Sequence, residues 1–161
     1  MRFACYEEHL MYVYGGYATT YGQEAVRMRA RFAAKAIKEL MAETDADCVV
    51  VHGNSGVSCG FAALMYGNFP LILLRKDNDN SHGMPMEGPN GHNVLRYLIL
   101  DDFIDTGATM ERIKAKIVTL AEQSRDGLPR PECVGIVLYG HHRGDGFSFR
   151  DGQRVPVRVR Q

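Results

Sequence analysis

The sequence has no excess of either charge, because its 161 residues include 19 lysines and arginines and 19 aspartates and glutamates. This balance gives no support to binding of nucleic acid or of an anionic membrane. Its apolar runs also fall far short of the ~20 residues that a membrane-spanning helix needs. A secretory signal is not expected, since Glu7, Glu8 and His9 lie where such a signal is apolar. We therefore expect an intracellular, cytoplasmic protein.

The sequence also has no pair of cysteines with the spacing of a metal site. None of its four cysteines forms a CxxC motif or lies at zinc-ligand spacing from a histidine: Cys5, Cys48, Cys59 and Cys133. Three of them lie in or beside apolar runs. We expect buried, unpaired thiols in a reducing compartment, with neither a disulfide framework nor a zinc site.

The chain contains no internal repeat and no low-complexity linker, so its length predicts a single domain over residues 1–161. Four short apolar runs are bounded by polar residues or glycine: 48–51, 71–74, 97–100 and 134–138. Continuous hydrophobicity indicates strands that are covered on both faces. Helical patterns alternate with these strands. This order predicts an α/β domain with a mostly parallel, twisted sheet flanked by helices.

Three segments have the apolar spacing of helices. Behind the capping-box pattern of Thr20 and Gln23, apolar residues recur at three- and four-residue intervals from position 26 to position 41. Residues 57–66 are almost wholly apolar, which is typical of a buried helix. An amphipathic stripe over residues 110–120 predicts a third helix, ending near Gly127.

The remaining segments have neither pattern. Residues 3–17 are rich in tyrosine and are expected to be extended or irregular. Residues 76–93 contain no apolar run, and a polar stretch of that length in a compact domain is typical of a functional loop. Residues 147–150 and 154–160 flank the turn dipeptide Asp151-Gly152, which predicts a C-terminal hairpin whose second strand lies half-exposed at an edge.

The chemistry is concentrated in residues 98–110. A buried strand ends in the adjacent carboxylates Asp101 and Asp102, and a run of small residues then opens a helix. Ligands of open α/β sheets lie at the carboxyl ends of strands, and backbone amides at a helix start can hold a phosphate. The carboxylates would repel that phosphate, so they indicate a ligand that also offers hydroxyls or brings a divalent metal. A sugar phosphate meets both demands, although many α/β proteins have a strand of this kind and bind nothing there.

The same segment resembles the signature of type I phosphoribosyltransferases that binds 5-phosphoribosyl-1-pyrophosphate (PRPP). The resemblance implies a Mg²⁺-dependent glycosyltransferase of nucleotide metabolism, which transfers the phosphoribosyl group to a nitrogenous base and releases pyrophosphate. It implies that Asp101 and Asp102 hold the ribose hydroxyls and the metal. It also implies that five following residues bind the 5-phosphate: Asp105, Thr106, Gly107, Ala108 and Thr109.

Two further segments resemble parts of that family. Residues 49–56, a strand and a glycine-bounded loop that leads into a helix, resemble the pyrophosphate loop, which would consist of Gly53, Asn54, Ser55 and Gly56. Residues 73–76 and the polar loop over 76–93 resemble the strand and flexible loop of orotate-type members. That likeness implies that Arg75 and Lys76 act near the pyrophosphate and that His82 belongs to the flexible loop.

The sequence also departs from this family. Residues 77–81 hold no lysine where orotate-type members have one, and little chain is left for a hood over the base. Only residues 1–19 and the C-terminal hairpin could supply a hood. Phe147 and Phe149 of the hairpin could stack on a base, but packing within the fold is the favoured interpretation. These departures favour one alternative, a non-catalytic PRPP- or nucleotide-binding regulatory protein. A hydrolase that uses the Asp pair is another.

The sequence leaves the acceptor base open. The polar loop over residues 76–93 favours a pyrimidine acceptor such as orotate, whereas Asp105-Thr106-Gly107 favours a purine. In the purine-type members the residue that matches Asp105 lies near the base nitrogen and is a candidate general base. The resemblance also implies a homodimer whose other partners are small-molecule substrates, with no nucleic acid or membrane.

Overall fold

The computed structural model describes residues 23–76, 84–88, 94–124, 129–140, 142 and 144–159. Its helices are α1 (Gln23–Thr44), α2 (Gly53–Ala63) and α3 (Ala108–Ser124). The strands of the described residues, in chain order, are β1 (Cys48–His52), β2 (Leu71–Leu74), β3 (Met86–Glu87), β4 (Arg96–Asp101), β5 (Glu132–Leu138), β6 (Gly146–Ser148) and β7 (Arg154–Val159). Strands and helices alternate along the chain, which confirms the predicted α/β class.

The strands form one mixed sheet in the order β3-β2-β1-β4-β5-β7-β6. The five central strands are parallel, and β3 and β6 add antiparallel edges. The four apolar runs predicted as strands are β1, β2, β4 and β5. Because β1 pairs with β2 on one side and with β4 on the other, their carboxyl ends meet at one edge of the sheet.

Helices cover both faces of the sheet, which explains why its central strands are apolar without alternation. On one face, buried residues of α1 and α2 such as Ile37, Leu40 and Ala63 pack in one core cluster. On the other face, Met110 and Ile113 of α3 pack with the C-terminal hairpin. The free thiols of the described cysteines lie in these two cores, as predicted: Cys48, Cys59 and Cys133. None of the described helices is long and apolar enough to cross a membrane.

The C-terminal hairpin is present, but the predicted position of its second strand is wrong. Strand β7 lies inside the sheet, since β5 pairs with one of its sides and β6 with the other. Val155 and Val157 of β7 are buried, and β6 is the edge. The alternation of valine with arginine and proline in β7 reflects one well-buried face, and it carries no information on what pairs with the strand.

The structure also corrects two segment boundaries. Within residues 76–93, predicted to lack regular structure, β3 pairs antiparallel with β2. Helix α2 starts directly after β1 and ends at Ala63, whereas a helix over residues 57–66 was predicted. Gly53 makes this abrupt start feasible, because its φ of +70° turns the chain within a single residue. Thr20, the possible hood over residues 1–19 and most of the 76–93 loop lie outside the described residues.

Candidate functional site

A cleft of about 490 Å³ lies at the carboxyl edge of β1, β2 and β4, a volume that suits a small-molecule ligand. Most of the predicted site residues line it: Gly53, Asn54, Ser55, Lys76, Asp101, Asp102, Asp105, Thr106, Gly107, Ala108 and Thr109. Of the other three, Gly56 and Arg75 lie outside the lining, and His82 is outside the described residues. The fold therefore brings three separate stretches of sequence to one place.

The acid pair lines the cleft at the end of β4. The Asp101 carboxylate is buried and accepts hydrogen bonds from the Ser55 hydroxyl (3.1 Å) and the Asp102 backbone N–H (2.9 Å). Burial, followed by the charge of Asp102, raises the pKa of Asp101 to about 7. Because the charged form of Asp101 is costly without a ligand, a cation or hydroxyl donors beside the pair would stabilise it.

The predicted phosphate turn leads from the acid pair into α3. Gly107 is buried at a φ of +77°, and the Thr106 hydroxyl accepts a hydrogen bond from the Ala108 N–H (3.3 Å). A Cβ on Gly107 would lie 2.8 Å from the ring of Phe147 in the C-terminal hairpin. Phe147 in turn packs edge-to-face on the buried Phe149, with ring centroids 4.9 Å apart. The two hairpin aromatics therefore pack behind the phosphate turn, which confirms the favoured interpretation of packing.

The predicted pyrophosphate loop is the first turn of α2. His52 immediately precedes this helix and makes no side-chain capping bond to it. N–H groups of a first helical turn have no acceptor within the helix, so such a turn is suited to bind an anion. Gly56 is buried beneath this turn, where a Cβ would lie 2.8 Å from the Leu100 carbonyl oxygen. It thus contributes close packing that brings the start of α2 against the strand carrying the acid pair.

The two predicted cations, Arg75 and Lys76, directly follow β2 and are placed differently. Lys76 lines the cleft, and its Cε lies 3.6 Å from the position that a Cβ of Gly53 would occupy. The Arg75 guanidinium instead pairs with the Glu87 carboxylate at 2.5 Å, and its side chain is only 13% exposed. Pairing with β3 therefore directs Arg75 to the sheet edge, and its role in catalysis stays a prediction.

Sequence reasoning missed five residues of the lining. Two of them, His52 and Arg112, are polar, and the other three are Phe103, Ile104 and Met110. His52 Nδ1 lies 2.9 Å from the Leu74 carbonyl oxygen, so Nδ1 donates and Nε2 carries no proton in the neutral ring. Burial, aided by the charges of Lys76, Lys116 and Arg112, lowers the pKa of His52. The positions of His52 and Arg112 in the sequence could have indicated both residues. His52 ends a strand before the glycine turn, and Arg112 follows Ala108 by one helical turn.

No family model matches the sequence, and no curated protein does. Solved structures match it well. An orotate phosphoribosyltransferase of Francisella tularensis is 14% identical with a TM-score of 0.61, over 88% of this chain and 68% of that chain. A phosphoribosyltransferase from Corynebacterium diphtheriae is 18% identical (TM-score 0.54, 83% and 78% covered). An adenine phosphoribosyltransferase is 14% identical (TM-score 0.52, 86% and 81% covered). The chain therefore has the α/β fold of the type I phosphoribosyltransferases, as the sequence resemblance implied.

Proposed function

We propose that this chain is a phosphoribosyltransferase that transfers the 5-phosphoribosyl group of PRPP to a nitrogenous base and releases pyrophosphate. The observation that carries the proposal is the convergence of two helix starts and one acid pair on a single cleft. PRPP needs two anion sites on either side of sugar hydroxyls, and the cleft offers that arrangement. Solved phosphoribosyltransferases of the same fold support the assignment.

Three parts of the cleft would each bind a different part of PRPP. The start of α3, with Thr106 and Thr109, would bind the 5-phosphate through backbone amides and hydroxyls. The start of α2 and Lys76 would bind the pyrophosphate. Asp101 and Asp102 line the same cleft and would accept hydrogen bonds from the ribose hydroxyls. The carboxylates thereby contact the one part of PRPP that carries no negative charge.

Mg²⁺ is part of the proposal, and the donor set fits it. The described residues include no group of three His, Cys, Asp or Glu side chains that could hold a metal alone. Mg²⁺ is commonly bound by one or two carboxylates together with substrate oxygens, and Asp101 and Asp102 would supply the carboxylates. When bound, the ion would neutralise charge on the departing pyrophosphate.

The chain's own residues would assist each bond change. As the bond from the anomeric carbon to pyrophosphate breaks, positive charge develops on the sugar, and Lys76 stabilises the negative leaving group. As the new carbon–nitrogen bond forms, the base nitrogen loses a proton, and Asp105, which lines the cleft, would accept it. The polar segment over residues 76–93 would exclude water, which otherwise hydrolyses the activated sugar.

A non-catalytic PRPP- or nucleotide-binding protein is the second candidate. The placement of Arg75 favours it, because the Glu87 partner removes one of the two cations expected beside the pyrophosphate. A protein of this kind would keep the affinity of the cleft for PRPP and lack turnover with every base.

Calorimetric titration with PRPP and Mg²⁺, followed by pyrophosphate release with a panel of bases, tests the proposal. We expect micromolar or tighter binding and turnover with at least one base. Asp102→Asn should weaken PRPP binding at least tenfold, whereas Asp145→Asn should not, because Asp145 lies outside the cleft and its side chain is 92% exposed. Binding without turnover would support the second candidate. No heat on titration would refute both.

We also propose the homodimer that the resemblance implies, through the apolar surface at the end of α2. Phe61, Met65 and Tyr66 are 58%, 82% and 45% exposed there, beside an apolar groove of about 360 Å³. Projecting side chains next to a groove form the self-complementary surface that a two-fold interface requires. Sedimentation velocity should show a dimer that Met65→Lys dissociates. A wild-type monomer at tens of micromolar would exclude this interface.

A further inference from the structure

His52 is a buried histidine of the cleft whose ring has one nitrogen left for a ligand. The residue lines the cleft and is only 7% exposed. Its Nδ1 donates to the Leu74 carbonyl oxygen at 2.9 Å, and no described residue hydrogen-bonds to its Nε2. The bond to Leu74 fixes the tautomer, so Nε2 of the neutral ring is an acceptor. Since buried polar atoms are normally hydrogen-bonded, an Nε2 without a protein partner at a ligand site indicates a contact with the ligand.

The imidazole lies beside the start of α2, the proposed pyrophosphate site. His52 directly precedes this helix in an extended conformation, and its side chain makes no capping bond to the helix. The N–H groups of the first turn are therefore not used by the ring and are suited to bind an anion. His52 and the residues of that turn, Gly53, Asn54 and Ser55, all line the same cleft. An anion bound at the first turn thus lies next to the imidazole.

Three cations lie near this histidine. Lys76 Cε is 3.6 Å from the position that a Cβ would occupy on the glycine after His52. Lys116 Nζ of α3 donates to the Arg75 carbonyl oxygen at 2.7 Å, one residue beyond the carbonyl that holds the imidazole. Arg112 lines the cleft and precedes Lys116 by four residues on α3, which places both on one face of that helix. Burial and these three charges lower the pKa of His52, so its ring is neutral at pH 7 without a ligand.

The surroundings of Nε2 favour an anion over a metal ion. A histidine whose Nδ1 donates to a backbone carbonyl is also typical of a metal ligand. Three carboxylates line the same cleft, those of Asp101, Asp102 and Asp105. None of them hydrogen-bonds to the His52 ring, and the Asp101 carboxylate accepts instead from the Ser55 hydroxyl and the Asp102 N–H. The nearby positive charges oppose a cation at Nε2 and attract an anion.

An anion brings an oxygen that can only accept a hydrogen bond, and the unprotonated Nε2 can only accept as well. A hydrogen bond between the two forms when a proton from solvent is added to Nε2. The negative charge of pyrophosphate favours this protonated ring, because it offsets the cations that keep the ring neutral in the free protein. The Nε2–H group then donates a charge-assisted hydrogen bond to a pyrophosphate oxygen.

We propose that His52 is a direct ligand of pyrophosphate in the cleft and that pyrophosphate binding takes up one proton from solvent at Nε2. The inference rests on the proposed function and adds to it a binding residue and a proton linkage for the leaving group. During transfer the imidazolium would stabilise the departing pyrophosphate together with Lys76. Its proton would return to solvent when pyrophosphate leaves.

Two substitutions separate the nitrogens of the ring. In His52→Asn the amide N–H lies close to the position of Nδ1, so the bond to Leu74 can persist while Nε2 is absent. In His52→Gln the amide reaches the position of Nε2 with an N–H that does not titrate. Affinity for pyrophosphate with Mg²⁺ would be measured by calorimetry at pH 6 and pH 9, so the test requires no turnover and no acceptor base.

The effect of His52→Asn should depend on pH. It should weaken pyrophosphate binding about tenfold at pH 6 and less than about twofold at pH 9, because the wild type loses its Nε2–H donor as the pH rises through the pKa of the complex. Titration of pyrophosphate and of the acid pair is common to both proteins and cancels in their ratio. His52→Gln should differ from His52→Asn by the same factor at both pH values. In buffers of different ionisation heat at pH 7, the wild type should take up about one proton more than His52→Gln.

The possible failures are distinguishable. Equal pyrophosphate affinity of the wild type and His52→Asn at pH 6 would exclude the contact with Nε2. An equal loss of affinity at both pH values would refute the proton uptake and indicate a structural role of the ring. Either result, with PRPP still bound by the wild type, overturns this inference alone. A wild-type protein that binds neither PRPP nor pyrophosphate would refute the proposed function.

Discussion

Replacement of Gly107 by alanine would separate backbone strain from packing in the phosphate turn. Gly107 has a φ of +77°, and an added Cβ would lie 2.8 Å from two atoms of the Phe147 ring. The left-handed conformation costs an alanine about 1–2 kcal/mol. Overpacking typically costs about 1–3 kcal/mol, and we expect about 1 kcal/mol here because ring atoms at the end of a side chain can shift. Gly107→Ala should therefore destabilise the protein by about 2–3 kcal/mol in all.

Urea unfolding of a double-mutant cycle measures the two contributions. In a Phe147→Ala background the clash is absent, so the cost of Gly107→Ala should fall to about 1–2 kcal/mol, a coupling of about 1 kcal/mol. Gly152→Ala is the matched control, since Gly152 has a φ of +88° and no atom within 4 Å of the added Cβ. It should show the backbone cost alone, with no coupling to Phe147.

The functional consequence follows from the same contact. If Phe147 holds the phosphate turn, Gly107→Ala should weaken inorganic phosphate or PRPP binding at least fivefold, and Gly152→Ala should leave it unchanged. Equal unfolding costs for the two glycines, together with zero coupling to Phe147, would refute the idea that the hairpin supports the turn.

Three further predictions concern the charges of the cleft. The pKa of Asp101 is raised from 3.8 to about 7 in the native state. Between these pH values the native protein keeps a proton on Asp101 that the unfolded chain has lost. The free energy of unfolding therefore falls as the pH rises through this window. Asp101→Asn should remove that pH dependence and stabilise the metal-free protein at pH 8 by on the order of 2–4 kcal/mol. Equal urea midpoints of the variant and the wild type at pH 8 would contradict this. Ser55→Ala removes a hydrogen bond that lowers the pKa of Asp101. The affinity for Mg²⁺–PRPP, measured by calorimetry, should therefore fall about fivefold at pH 7 and recover by pH 9. An equal loss of affinity at both pH values would point to a purely structural effect. Lys76→Ala should weaken pyrophosphate binding about tenfold in a competition titration. The control is Lys35→Ala, at an exposed position of α1, which should leave pyrophosphate binding unchanged. Equal effects of the two substitutions would exclude a local contact of Lys76 with pyrophosphate.

The sequence by itself predicted most of the helices and strands, and it grouped the acid pair with the turn that follows it in one candidate site. The apolar runs of β1, β2, β4 and β5 and the stripes of α1 and α3 are local patterns with the period of the element that they form. The acid pair and the small-residue turn after it are contiguous, so their joint position at one strand end follows from local sequence. The resemblance to type I phosphoribosyltransferases, carried mainly by that stretch, was confirmed at the level of the fold.

Only the tertiary structure decided which side chains meet. The pairing of β7 with both β5 and β6, the attachment of Arg75 to Glu87 and the contact of Phe147 with Gly107 join residues that are distant in sequence. The raised pKa of Asp101 likewise results from burial by surrounding elements, which no local pattern encodes. Local periodicity specifies which face of an element is buried, whereas strand order and side-chain partners depend on the packing of the whole chain.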